Sequence, residues 1–308
     1  MPPRPATFSI VARDPETDAV GVAVHSKFIS VGSVVPFASA DAGAIATQSF
    51  ANVAYGPDGL ELLREGRTAS ETIDALTAAD EDAPERQVGV VGQDGSVAAF
   101  TGEGCFDYAG DVQGETYTVQ GNILENRDTL TAMADAYETT DGGLPEKLLA
   151  ALQAGNEAGG DKRGEQSAAM YVAKPEGGYD GKNDRWIDVR VDDHEDPIDE
   201  LERVFRLYDV TLLEREDPEE LRALEGDTAE AVLDALAGLG FYDGTPGTEF
   251  GENERDALEA FRGMNNFENH DLPVIEDALA RGWDDARGDG EDRLVNAIWH
   301  GLSRLDRK

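Results

Sequence analysis

Through the first two thirds of the chain, apolar side chains recur in short runs with a period of two. Residues 7–12, 19–25, 29–35 and 44–48 are such runs, the first two separated by the turn sequence Asp14-Pro-Glu-Thr-Asp18, and they predict the opening strands of a sheet. The period then lengthens. Residues 57–64 predict a helix, and residues 68–78 a second one that starts with the capping-box pattern Thr68-Ala-Ser-Glu71 and carries Ile73 and Leu76 on one face. Residues 87–91 and 96–101 flank Gly92-Gln-Asp-Gly95, a hairpin signal. A strand at 116–120, helices at 128–137 and 145–154, and strands at 167–172 and 186–191 follow. Asp196 before Pro197 then marks the start of a closing helix.

Many strands joined by tight turns argue against a doubly wound parallel sheet, because parallel neighbours need a crossover each time. The pattern predicts an α+β fold: stacked, mainly antiparallel sheets with helices outside, a four-layer αββα sandwich. Beyond residue 212 the β-branched runs stop, and helices and turns take over. Glu214-Arg-Glu-Asp-Pro218-Glu-Glu between the two regions has the polar, proline-bearing character of a linker. The expected organisation is an N-terminal extension 1–6, a sandwich domain 7–208, a linker 209–224 and a small all-α domain 225–308.

Charge narrows the function. The 308 residues hold 64 Asp and Glu against 26 Lys and Arg, a formal net charge of −38. A surface this negative repels phosphate backbones and anionic lipid, so neither nucleic acid nor membrane is an expected partner. Only six of the 26 basic residues are Lys. That balance fits a salt-adapted (halophilic) protein, since at molar salt the Debye length falls to about 3 Å and carboxylate repulsion is screened; lability at low salt is expected. Cys105 stands alone and excludes an intramolecular disulfide; a buried small hydrophobe is its expected role. No apolar run reaches the roughly 20 residues of a membrane span, and Met1-Pro-Pro-Arg-Pro-Ala6 has no hydrophobic signal segment, so a cytoplasmic protein is expected.

Several strand ends are more polar than structure alone requires: Thr7-Phe-Ser9, His25-Ser-Lys27, Thr47-Gln-Ser49, Gln120-Gly-Asn122, the glycine-rich Gly159-Gly-Asp-Lys-Arg-Gly-Glu-Gln-Ser167, and Asp188-Val-Arg-Val-Asp-Asp-His194. With Tyr55-Gly-Pro57 and Cys105 after Thr101-Gly-Glu-Gly, these strings, in order, closely resemble the domain of unknown function 1028 family over roughly residues 7–208. The resemblance implies an N-terminal-nucleophile (Ntn) hydrolase-like αββα sandwich, the layering that the pattern predicts independently, and little established activity.

An enzyme of that type uses a Thr, Ser or Cys whose own α-amine serves as base, so the nucleophile must become the first residue of the mature chain. The resemblance implies Thr7 for that place, because it begins the first strand and family members usually begin at the corresponding Thr. Five residues separate it from Met1, and removal of Met1 exposes Pro2, so catalysis requires cleavage between Ala6 and Thr7; in an uncleaved chain Thr7 is a strand hydroxyl. Lys27, the single Lys of the first 146 residues, is placed to keep the amine neutral, and Ser26 to hydrogen-bond it. His25 reads as a packed or edge residue. Gln48, with the Thr47 and Gln48 backbone N–H groups, and Asn122 are candidate oxyanion donors, Asn122 equally a turn residue.

In the glycine-rich loop the Arg163 fork suits a substrate carboxylate, with Asp161 either lining the same cleft or pairing with Arg163 or the α-amine, and Ser167 within reach. Asp188, Asp192 and His194 could ligate a cation, but Arg190 between the two carboxylates favours an ion-pair ladder. No cofactor is called for.

In the C-terminal region Val232, Leu233, Leu236 and Leu239 share a helix face, and Leu258 and Phe261 mark another. The Leu239-Gly-Phe-Tyr-Asp-Gly244 turn and the Ala-x-x-x-Phe helix resemble a three-helix peptidoglycan-binding module over about 45 residues; the tail 278–305 is expected to complete its core. In a cytoplasmic protein a packing or homo-oligomer contact is favoured over glycan binding. Two functions follow: an Ntn-type hydrolase that cleaves a small-molecule amide, or a non-catalytic assembly or binding protein that keeps the sandwich as scaffold.

Overall fold

The structure is a computed structural model that describes residues 7–307. The expected extension 1–6, and with it the Ala6–Thr7 bond, lies outside the described residues.

Two antiparallel sheets form the first unit. One has the order β10 (Arg185–Val191), β9 (Ser167–Ala173), β2 (Val20–Ser26), β1 (Thr7–Arg13), β8 (Tyr117–Asn122), β7 (Gly110–Gln113). The other has the order β3 (Pro36–Ser39), β4 (Gly43–Ser49), β5 (Arg86–Gly92), β6 (Val97–Thr101). The sheets face each other. Val11, Val20, Val22 and Val24 of the first pack with Ala44, Ala46 and Val91 of the second. Alternation sends the intervening residues the other way: Phe8 lies against Gly155 of α4 (Leu144–Glu157), which in turn meets Met133 of α3 (Asp128–Thr139). On the second sheet Ile45, Val88 and Val90 bury against Leu60 and Leu63 of α1 (Tyr55–Arg64) and Ile73 and Leu76 of α2 (Ala69–Ala78). The predicted capping box is present: Thr68 accepts from Glu71 N–H, and Glu71 accepts from Thr68 N–H.

Three sequence expectations change. The apolar run 29–35 is not a strand. Ser30 is left-handed (φ 54°), and Ser33, Val34 and Val35 N–H close back onto Ser30 O and Val31 O, so the run buries Val31 and Val35 as a short turn before β3. The edge strands β3 and β7 escaped notice because Pro-Phe-Ala-Ser and Gly-Asp-Val-Gln carry no β-branched run; they exist by pairing with β4 and β8. Finally, α5 (Pro197–Leu212) continues through residues 209–212, expected in the linker.

The chain divides after Glu202 into two compact units. The second contains α6 (Gly226–Gly238), α7 (Glu252–Met264), α8 (Leu272–Gly282) and α9 (Gly290–Leu302). Val232, Leu236, Phe261, Ile275, Leu279 and Ile298 form its core. Asp209 is buried there, and three donors satisfy it: Trp299 Nε1 (2.9 Å), Arg307 Nε (3.2 Å) and Arg215. Among the described residues no helix is long and apolar enough to cross a membrane.

Candidate functional site

Strand register assembles a polar row across the first sheet. Asn122 pairs with Thr7, Thr7 with Ser26, and Ser26 with Ser167. One pleat further, Gln120 pairs with Ser9. From the opposite sheet, Gln48, Gln87 and Thr101 are paired side by side. The period-two alternation therefore gives this end of the inter-sheet layer a polar filling, while β1, β2, β4 and β5 fill the rest with valine and alanine.

The polar groups bond to one another across the gap. Gln87 Nε2 donates to Gly121 O (2.8 Å), Thr101 Oγ1 (3.0 Å) and Gly110 O (3.2 Å). Gln87 Oε1 accepts from Gln48 Nε2 (2.8 Å) and Asn122 Nδ2 (2.9 Å). Gln48 Oε1 accepts from Ser9 Oγ (2.7 Å), Ser9 Oγ accepts from Gln120 Nε2 (2.5 Å), and Gln120 Oε1 accepts from Thr118 Oγ1 (3.2 Å). Gly89 makes room for this chain, since a Cβ there would sit 2.2 Å from Gln120 Oε1. Thr7 Oγ1 donates to Ser26 Oγ (3.1 Å) and the residue is 3% exposed. Asn122 is fully buried, and its Oδ1 has no hydrogen-bond partner among the described residues.

Other predicted residues stand elsewhere. Lys27 donates its backbone N–H to Asp161 Oδ2 (2.8 Å) and its ammonium to Glu165 O (2.8 Å); no bond joins that ammonium to Thr7. Arg163, expected to hold a substrate carboxylate, turns its guanidinium to Asp161 (3.0 and 3.2 Å), the internal alternative. Asp161 is buried and sits at the centre of a strap. Lys162 N–H reaches Ile123 O (3.1 Å), and Gly160 O accepts from Glu125 N–H (3.1 Å). Because β1 lies between β2 and β8, a segment bonded to Lys27 beyond one and to Ile123 and Glu125 beyond the other crosses the head of β1, above Thr7. Gly159 (φ 131°) and Gly160 (φ 57°) permit that path. Ser167 bonds the loop after β2, donating to Phe28 O and accepting from Val31 N–H (3.1 Å), so its hydroxyl holds that loop instead of facing a substrate.

Gln48 and Asn122, expected as oxyanion donors, each commit one of their two amide protons to Gln87 Oε1, and Thr47 N–H is bonded to Val35 O. Asn122 ends a strand and is not a turn residue. His25 is a packed residue: its ring lies 4.8 Å from that of Phe8, neither nitrogen has a hydrogen bond, and Nε2 is 3.8 Å from the Glu165 carboxylate. Burial pulls its pKa down to about 4, against the attraction of Asp161 and with the help of Arg163 and Lys27. Asp188 pairs with Arg190 (2.9 Å) and Arg185 (3.5 Å), and His194 Nδ1 accepts from Asp196 N–H (3.0 Å). Asp192 O accepts from Ser30 N–H. The ion pairs of this stretch thus centre on Asp188, and among the described residues no group of three His, Cys, Asp or Glu is arranged to hold a metal. Cys105 is half-buried with Sγ 3.4 Å from Arg86 O, and burial pushes its thiol pKa up.

Sequence reasoning missed Gln87, the hub of the network. Its only local signal is a polar amide at the head of an apolar strand, which becomes informative once Gln48 is known to lie beside it. Two surface recesses lie apart from this network, one bordered by Ser39, Asp41, Lys182 and Asp184, the other by Phe241, Tyr242, Asp243, Asn253 and Asp256.

Comparison with known proteins bears on both units. The family model described as "Family of unknown function (DUF1028)" matches residues 7–201. A model described as "Putative peptidoglycan binding domain" matches residues 211–299, a longer stretch than the 45 residues that suggested it. Among solved structures, the crystal structure of protein SPO2555 from Silicibacter pomeroyi, assigned to DUF1028, is 32% identical with a TM-score of 0.61, covering 66% of this chain and 89% of that one. No curated protein matches. The first match opens on Thr7 and closes within α5, taking in both sheets and the polar layer between them: the chain belongs to the DUF1028 family.

Proposed function

We propose that the protein is an Ntn-type hydrolase of small-molecule amides, built on an αββα sandwich, with Thr7 Oγ1 as nucleophile. The observation that carries this reading is the place of Thr7. It heads the central strand β1, and its hydroxyl enters a buried polar row between Ser26 and Asn122. Cleavage after Ala6 would turn the Thr7 backbone nitrogen into an α-amine able to take the hydroxyl proton during attack. The Oγ1–carbonyl bond forms, the C–N bond of the substrate breaks, the proton passes to the departing amine, and water then releases the acyl group. Ser26 orients the Thr7 hydroxyl, while Gln48 and Gln87 fix the amides around it. Lys27, whose ammonium is bonded to Glu165 O, contributes by holding the strap at the head of β1.

A second reading, a non-catalytic scaffold whose polar layer only fixes the packing of the sheets, is favoured by the burial of Thr7 and the internally bonded amides. Intact-mass measurement and labelling with a β-lactone, which acylates nucleophilic threonine, decide between them. The hydrolase requires a chain starting at Thr7 that gains one lactone on that residue. A mature chain starting at Met1 or Pro2 that takes no lactone selects the scaffold.

For the helical unit we propose a packing or self-association role, tested by light scattering of the intact chain against a chain ending in the 213–224 segment. Glycan binding there predicts instead that soluble muropeptides perturb Tyr242 fluorescence.

A further inference from the structure

Two backbone carbonyls set the orientation of three carboxamides near Thr7, those of Gln87, Gln48 and Asn122. Gly121 O and Gly110 O can only accept, so the end of Gln87 that faces them is its amino group, and Oε1 points the other way. Gln48 and Asn122 must each present an amino group to that oxygen, and both do. Asn122 is thereby fixed with Oδ1 directed away from Gln87. That atom is a buried acceptor to which none of the described residues donates. Buried polar atoms without partners are rare in native proteins, and each calls for a specific explanation.

Its position supplies one. Asn122 and Thr7 are direct register partners with side chains on the same face. Such pairs hold their Cβ atoms about 4.5–5.5 Å apart. A carbonyl carbon seated against Thr7 Oγ1 places its own substituents within hydrogen-bond reach of the neighbouring carboxamide. We infer that Asn122 Oδ1 accepts a hydrogen bond from the N–H of the scissile amide, which makes primary and secondary amides the substrate class and disfavours tertiary amides. The inference rests on Thr7 being the nucleophile. It gives Asn122 a role beyond the donor expected from sequence: its oxygen binds the leaving nitrogen, while one proton of its amino group is held by Gln87. A site that hydrogen-bonds a substrate N–H discriminates strongly against analogues without it, because the buried acceptor is then left unpaired.

The test compares three probes on the purified full chain by intact mass: an aryl-substituted 2-azetidinone, its N-methyl derivative, and the β-lactone of the same substitution. Each forms one ester to Thr7 by ring opening. The C–N or C–O bond breaks, the hydroxyl proton ends on the released nitrogen or oxygen, and the whole probe is added to the chain. After correction for reaction with hydroxide, the N–H lactam is expected to label wild type roughly tenfold faster than the N-methyl lactam, the loss of one hydrogen bond. In Asn122→Ala the two lactams are expected to label equally. Each comparison is made within one protein, so a fall in folded fraction cancels, and if Asn122→Ala does not fold, the wild-type ratio alone decides. Equal labelling of wild type by the two lactams, a preference that survives Asn122→Ala, or lactone adducts without any N–H lactam adduct overturns the inference and leaves Thr7 as nucleophile. Absence of a lactone adduct on Thr7 overturns both.

Discussion

The space between the two sheets has two ends built on opposite principles. At one end Val11, Val22, Val24, Ala46 and Val91 meet through hydrocarbon contacts that have no direction. At the other, β1, β4 and β5 present Ser9, Gln48 and Gln87, and β8 adds Gln120 and Asn122, joined by hydrogen bonds in which each donor requires one acceptor. The apolar end tolerates change in proportion to volume, whereas the polar end tolerates little, because an amide stripped of its partner stays buried. A layer required only for stability is more simply filled with valine throughout. The polar end is also where a carboxamide oxygen remains open beside a strand-initial threonine.

Four experiments press on this contrast. The largest effect is expected at Thr7: Thr7→Ala should abolish lactone labelling at a stability cost of about 1–2 kcal/mol, since it removes one buried methyl group and one hydroxyl bonded to Ser26. Retention of the adduct would place the nucleophile elsewhere. Next, Gln87→Leu leaves the Gln48 and Asn122 amino groups without their shared acceptor. At about 1–3 kcal/mol for each stranded donor, chemical denaturation should show a loss of about 2–6 kcal/mol; a loss under 1 kcal/mol would mean that the network relaxes like an apolar core.

His25 offers a third comparison, a polar ring buried on the other face of the first sheet without hydrogen bonds. Its pKa of about 4 in the fold lies below its ordinary 6.5, so between those values the unfolded chain binds more protons than the native one. Stability should therefore be unaffected by His25 above pH 6.5 and fall as pH drops toward 4, by about 3 kcal/mol in all. A His25→Phe variant should show a shallower slope in that window, and an identical slope would mean the imidazole is solvated. The smallest effect belongs to the apolar end. Val24→Ala removes two carbons at about 0.8 kcal/mol each plus a cavity cost, so about 2 kcal/mol, with no change in lactone labelling.

Much of this arrangement is legible along the chain. Strand and helix types follow from local periodicity, the capping box at Thr68 forms as written, and the polar strand ends 7–9, 120–122 and 47–49 meet in one layer. What escapes is the partner of each group. Lys27 and Arg163 stand out as cations in a chain of net charge −38, yet they face Glu165 O and Asp161, contacts made by folding of the glycine-rich strap. Gln87 looks like any strand residue until Gln48 and Asn122, 39 and 35 residues away, close on its oxygen.

The sequence by itself determined most of the elements, the family, and the placing of a threonine at the head of the first strand, because those depend on local spacing and residue type. Tertiary structure alone decided which amide donates, which oxygen is left open and which charges are neutralised. Hydrogen bonds are directional and their partners arrive from strands distant in the chain, so no local pattern records them.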